Sequence, residues 1–136
     1  MSYLIDTNVI SELAKTQPNK QVVSWFGSIS NHELYLSVIT LGEIRKGIAK
    51  ISDDKKREKI RMWLDHELLQ WFGERILPID QHVANKWGVL QASVSRTLSA
   101  IDSLIAATAM HSDLILVTRN IKDFDIPGIE IINPFL

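Results

Sequence analysis

The chain of 136 residues contains no cysteine. That absence excludes thiol catalysis, thiolate zinc sites and a disulfide framework, and it agrees with a reducing compartment. Proline and glycine are sparse, at 4 and 6 residues, and no stretch gathers them into a linker. Charge of one sign is lacking as well. With 15 basic residues against 16 acidic ones the formal net charge is -1, so a polyanionic partner must be met by local charge. Long apolar runs are missing: nothing approaches the roughly 20 residues of a membrane helix. Asp6 interrupts the first apolar run after Tyr3 to Ile5, too early for a signal peptide. A cytoplasmic setting without a membrane partner is therefore expected. No repeat or compositional break divides the chain, so residues 1–136 are expected to form one domain without a tail.

What is present is an alternation of two periodicities. Apolar runs of strand-like composition occur at Tyr3 to Ile5, Leu34 to Leu36, Ile76 to Ile79, Leu114 to Val117 and Ile129 to Ile132. Helical spacing fills most of the gaps. The clearest stripe, Ile60, Trp63, Leu64, Leu68 and Trp71, predicts a helix between Asp53 and Trp71, and Val83, Trp87, Leu90 and Val94 predict another. Strands separated by helices imply parallel pairing with right-handed crossovers, hence an α/β fold with a four- or five-stranded parallel sheet covered on both faces.

Within this pattern, three acids stand where an apolar stretch meets a helix. Asp6 follows the first strand, Glu43 lies in Ser37-Val38-Ile39-Thr40-Leu41-Gly42-Glu43-Ile44, and Asp102 opens the apolar stretch that runs to Met110. Each has an ordinary explanation as a helix-capping residue: Asp6 as an N-cap, Thr40-x-x-Glu43 and Ser99-x-x-Asp102 as capping boxes. Their shared placement supports another. The carboxyl edge of a parallel sheet is where ligands bind, and acids converging there repel one another unless a cation holds them ionised. Oxygen donors without His or Cys favour Mg2+ or Mn2+ over zinc. His32, His66, His82 and His111 are scattered without metal-ligand spacing.

Four segments together carry a family resemblance. They are Asp6-Thr7-Asn8-Val9-Ile10-Ser11-Glu12-Leu13, Ser37-Val38-Ile39-Thr40-x-x-Glu43-Ile44-x-x-Gly47-Ile48, Asp102-x-Leu104-Ile105-Ala106-Ala107-Thr108-Ala109, and Val117-Thr118-Arg119-Asn120-x-x-Asp123-Phe124. In order and spacing they resemble the successive motifs of PIN-domain ribonucleases. Within that superfamily the chain is most similar to VapC toxins of type II toxin-antitoxin modules, including the FitB-like branch, whose ending is similar to Ile131-Ile132-Asn133-Pro134-Phe135. The resemblance implies a three-layer α/β/α fold, Mg2+- or Mn2+-dependent RNA cleavage, homodimerisation, and inhibition by a cognate VapB-type antitoxin.

Carried over by position, the resemblance assigns Asp6, Glu43 and Asp102 to the metal centre. It departs at Asn120, where some members have an acid, and this implies a weakened second-metal site. Asp123 is the nearest replacement, as a catalytic or water-bridged ligand or simply as a turn residue before Phe124. Thr7, Asn8, Ser37, Thr118 and Asn120 are candidates to orient the carboxylates, although Thr7 and Ser37 would equally serve as helix caps. Arg45, Lys46, Arg119 and Lys122 are the candidate RNA contacts. The Lys55 to Arg61 run is a further candidate, diluted by Asp53, Asp54 and Glu58. Trp63 and Trp71 could pack against a second subunit or an antitoxin helix, whereas Trp87 reads as core. A silent RNA- or partner-binding relative and a housekeeping RNA-processing nuclease are the rival functions; a phosphotransfer receiver lacks its expected acid pair and lysine.

Overall fold

The computed structural model describes all of residues 1–136. Five short parallel strands form one sheet: β1 (Tyr3–Ile5), β2 (Leu34–Ser37), β3 (Ile76–Leu77), β4 (Ile115–Val117) and β5 (Ile131–Ile132). Their order is β3-β2-β1-β4-β5. Leu4 is in register with Tyr35 on one side and Leu116 on the other. The five expected strands are all present, each within two residues of its predicted limits.

Alternation along the strands divides the core into two layers. Tyr3, Ile5, Leu34, Leu36, Ile115 and Val117 face one cluster, which also takes in Ile44, Leu64, Leu68 and Phe72 from the helices. Leu4 and Leu116 point the opposite way, into a cluster with Leu90, Ile105, Ala106 and Ala109. A sheet covered on both faces reads as continuous apolar runs, which is why each strand carries so little polarity. The arrangement is the three-layer α/β/α sandwich. On the first face lie α1 (Thr7–Ile10), α2 (Lys20–Ser28), α3 (Val38–Ala49), α4 (Asp54–Met62) and α5 (Leu69–Phe72); on the second lie α6 (Gln81–Ser93) and α7 (Ala100–His111).

The helix predicted between Asp53 and Trp71 contains a feature that its periodicity conceals. Trp63–Leu68 forms a π segment joining α4 to α5. Ile60, Leu64, Leu68 and Phe72 recur every four residues, a spacing that turns about 40° per step away from a fixed face of a 3.6-residue helix. The widened turn absorbs that drift, and Leu64, Leu68 and Phe72 are all buried on the same side. Trp71 is committed within the chain: Tyr3, Trp25, Phe26, Trp71 and Phe72 make consecutive ring contacts with centroids 4.7 to 5.8 Å apart. Trp87 is half-buried and donates to the buried Ser103 hydroxyl at 2.9 Å, tying α6 to α7. No helix is long and apolar enough to cross a membrane.

The strand order has one consequence for chemistry. From β1 the chain moves outward through β2 to β3, then returns by α6 and α7 to lay β4 on the other side of β1. The carboxyl ends of β1 and β4 therefore flank the topological switch point, the usual position of a ligand crevice in open α/β sheets.

Candidate metal centre

Asp6 leaves β1 directly into this crevice. Its backbone N–H donates to the Val117 carbonyl at 2.8 Å, so the end of β1 is fastened to the end of β4. The side chain is 7% exposed. One oxygen accepts from the Thr7 backbone N–H at 2.8 Å, the N-cap arrangement; the other accepts from the Thr118 hydroxyl, also at 2.8 Å. The capping and site roles are thus carried by different oxygens of one carboxylate. Burial pushes the Asp6 carboxyl above its ordinary value, against the Thr118 and Thr7 hydrogen bonds, and the charges of Glu43 and Asp102 push it further in the same direction.

Glu43 and Asp102 reach this neighbourhood from helices rather than from strand ends. Ser37 caps α3 by accepting from the Ile39 N–H at 3.1 Å, which places Thr40 inside the helix and Glu43 in its second turn. The expected Thr40–Glu43 capping box is therefore not formed. Instead the Thr7 hydroxyl bonds the Glu43 carboxylate and lies 3.1 Å from the Thr40 hydroxyl, a chain linking the end of β1 to α3. Asp102 occupies the first turn of α7, capped by Ser99, whose hydroxyl accepts the Asp102 N–H at 3.0 Å. The segment before it comes from α6, not from a strand.

The outer residues sort themselves by contact. Thr118 is fully buried, donates to Asp6 and accepts from the Asn120 N–H at 3.0 Å. Asn8 accepts from the Arg119 N–H at 3.2 Å and so joins the two strand-end loops. Ser37 touches only its helix cap. Asn120 and Asp123 are exposed, and Asp123 is not among the groups that chiefly act on Asp6.

Of the candidate cations, Arg45 pairs with Asp65 on the π segment at 2.5 Å. Arg119 stacks over the Phe135 ring at 4.5 Å, giving the terminal Asn133-Pro134-Phe135 segment a place beside the crevice. Lys46 lines a shallow groove with Glu43, and Lys122 is exposed on the turn Ile121–Phe124.

Two contributions went unread in the sequence. Thr40 was obscured by the capping-box pattern. Glu12, buried on the turn Ser11–Ala14, accepts from Lys15 at 2.9 Å and from the Asn19 N–H at 2.8 Å; the Lys15 bond chiefly holds its carboxyl below the ordinary range. Its spacing to Lys15 was the available signal.

The contrast with Glu12 defines the centre. None of the six ion pairs includes Asp6, Glu43 or Asp102. The three share one electrostatic neighbourhood without closing on a single point as a ligand set. Three carboxylates outside any ion pair are hard oxygen donors, the donor chemistry that suits a divalent cation such as Mg2+ or Mn2+.

A five-stranded parallel sheet with helices on both faces and acids near its switch point defines a three-layer α/β domain, and residues 3–127 match the PIN domain family model. The chain belongs to the PIN-domain family. Toxin FitB of Neisseria gonorrhoeae is 36% identical over 97% of each chain, and the crystal structure of FitAcB from that organism superposes with a TM-score of 0.90 over 98% of both. VapC ribonuclease Y4jK of Sinorhizobium fredii is 35% identical, covering 97% of this chain and 96% of the relative. A toxin-antitoxin complex from Klebsiella pneumoniae is 29% identical, with a TM-score of 0.72 over 98% of each chain.

Proposed function

We propose that this protein is the toxin of a type II toxin-antitoxin module, an endoribonuclease that cleaves RNA phosphodiester bonds with Mg2+ or Mn2+ held by Asp6, Glu43 and Asp102. The observation that carries the reading is the trio of unpaired acids around Asp6 at the β1/β4 switch point. Relatives of similar length named as a VapC ribonuclease and as a toxin support the activity and the biological role. The complex from Klebsiella pneumoniae supports an antitoxin, here of the VapB type, as the partner. A homodimer in the cytoplasm, where the RNA is, completes the proposal.

A bound divalent ion supplies Lewis-acid polarisation of a phosphoryl oxygen and countercharge for the carboxylates. The residues of the chain supply position. Thr118 fixes one Asp6 oxygen and the Thr7 N–H the other, so the buried carboxylate cannot rotate freely. Thr7 also holds Glu43, which ties two of the three acids to one residue. Water would attack the phosphorus as the P–O bond to the leaving oxygen breaks and that oxygen takes up a proton from solvent, with Asp6, Glu43 and Asp102 holding the cation whose countercharge offsets the developing negative charge.

Incubating a pool of structured RNAs with purified full chain and Mg2+ or Mn2+ tests this. Discrete cuts are expected, abolished by EDTA and reduced by about a hundredfold or more in Asp102→Asn, since even outer partners of a metal cost about 10–100-fold. Asp123→Asn should change the rate by no more than about tenfold, the lower end of that range. Folded, antitoxin-free protein that cuts nothing would leave a silent RNA-binding relative in its place.

A further inference from the structure

The arginines of this chain are occupied by their neighbours, with one exception. Arg45 donates to Asp65, Arg57 to Asp54 and the Ile51 carbonyl, and Arg61 to Glu58 and Asp65. Arg75 donates to the Asn31, Leu34 and Trp71 carbonyls, and Arg96 to those of Asp123 and Asp125. Arg119 has its backbone N–H held by Asn8, but its exposed guanidinium donates to no group and lies over the Phe135 ring, 4.5 Å from the centroid. Glu12 feels its charge but is already taken by Lys15 and the Asn19 N–H. The ring is held by a defined turn. The Asn133 side chain accepts from the Phe135 N–H at 2.9 Å, and the buried Pro134 fixes the backbone between them. Phe135 packs against the core layer that contains Val117, as Ile132 does. Val117 and Ile132 are in register, and the Thr118 N–H bonds the Ile132 carbonyl at 2.9 Å, so adjacent strand ends deliver Arg119 and Phe135 to one place.

We propose that Phe135 is a positioning residue whose ring holds the Arg119 guanidinium, at the carboxyl end of β4, as a contact for an RNA phosphate; this rests on the nuclease reading above. Arg119 follows Thr118, whose hydroxyl bonds Asp6, so the cation begins one residue from the support of that carboxylate. A guanidinium carries five N–H donors in its plane. Stacking on a ring uses its face and leaves those donors free, whereas an ion pair such as that of Arg45 uses them. The free fork suits a phosphate, which it meets with two parallel hydrogen bonds. The ring also narrows the rotamers of a long exposed side chain before the strand arrives, so less freedom is lost on binding. A carboxylate in the place of Phe135 would orient Arg119 as well, but it would compete with the phosphate for the same donors.

A double-mutant cycle read by binding of a short unstructured RNA to the full chain in EDTA, across a salt series, tests this. Arg119→Ala should weaken binding by roughly tenfold, the loss of a hydrogen bond to a charged group, and lower the slope of log affinity against log salt by about 0.7. Phe135→Leu keeps an apolar side chain and removes the ring; it should weaken binding about two- to fivefold, the range of an exposed cation–π contact. Phe135→Tyr, which restores a ring, should bind as the unmodified chain does. In the Arg119→Ala background, Phe135→Leu should have no further effect. An equal loss from Phe135→Leu in both backgrounds would overturn the proposal, because the ring would then act through packing alone. So would unchanged affinity in Arg119→Ala, the outcome expected if the guanidinium meets a protein partner, or an unmodified chain that binds no RNA. Metal-dependent cutting by the unmodified chain reads the nuclease separately. Cutting together with additive losses overturns the role of the ring alone, whereas a non-additive cycle without cutting upholds that role and overturns the nuclease.

Discussion

Thr118 shows how much one hydroxyl can carry at this site. It is buried, lies 112 positions from Asp6 in the chain, and satisfies one oxygen of that carboxylate while accepting from the Asn120 backbone. Thr118→Val preserves shape but strands both partners. Leaving a buried polar group unmade costs about 1–3 kcal/mol, and loss of an orienting partner lowers metal affinity by about 10–100-fold. Urea unfolding and calorimetric Mn2+ titration of the full chain should show both effects, with Thr118→Ser recovering most of each. Wild-type Mn2+ affinity in the valine variant would mean that Asp6 needs no such support. Glu12 illustrates the opposite fate of a buried acid: with Lys15 and the Asn19 N–H in contact it is compensated, and it fastens the loop after the first motif.

At the scale of elements, α3 and α7 are the delivery arms, and their caps set where the acids fall. Ser37 terminates β2 and starts α3 through one hydrogen bond to the Ile39 N–H, which places Glu43 in the second turn near Thr7. Ser37→Ala should cost about 1 kcal/mol of stability, visible as a lowered urea midpoint. RNA cleavage under folding conditions should be kept, because the hydroxyl touches no acid. A loss of cleavage beyond about tenfold, the range of an outer metal partner, would give Ser37 a role at the metal centre. The π segment between α4 and α5 belongs to the same scale. It keeps Leu64, Leu68 and Phe72 on the core and carries Asp65, which takes up Arg45 and part of Arg61.

Across the whole molecule, the burial of Asp6 and the charges of Glu43 and Asp102 beside it weigh against the ionised centre, and a bound cation would offset them. Asp6 titrates above 3.8 in the native chain, so between that value and the native one the folded state holds more protons than the unfolded. Stability therefore falls as pH rises through this window, because ionising the carboxyl is opposed by its burial and by the charges of Glu43 and Asp102. In EDTA at pH 7, Asp6→Asn should melt at a higher temperature than the unmodified chain. Mg2+ or Mn2+ should raise the melting temperature of the unmodified chain, by mass action about 2.7 kcal/mol at a hundred times the Kd, and leave Asp6→Asn unmoved. Scanning calorimetry with and without metal reads both. A lower melting temperature for Asp6→Asn in EDTA would show that hydrogen bonding to the carboxylate outweighs its burial and repulsion.

The limits of β1, the positions of β2 and β4 to within one residue, the presence of helices between the strands and the place of Asp6 at the end of β1 were legible in the chain itself. Those features come from local periodicity and from residue types placed beside it, which need no partner to be read. The order β3-β2-β1-β4-β5 was not legible, and with it the meeting of Asp6 with Thr118, because strand adjacency depends on which crossover packs on which face. Nor was the division of the cations. Arg45 stands two residues from Glu43 in the chain, yet it pairs with Asp65, while the lysines of α4 line a cleft with Glu43. Exposed charges gain little from any one neighbour, so their partners are chosen by the packing of the helices that carry them, and that choice exists only in the folded molecule.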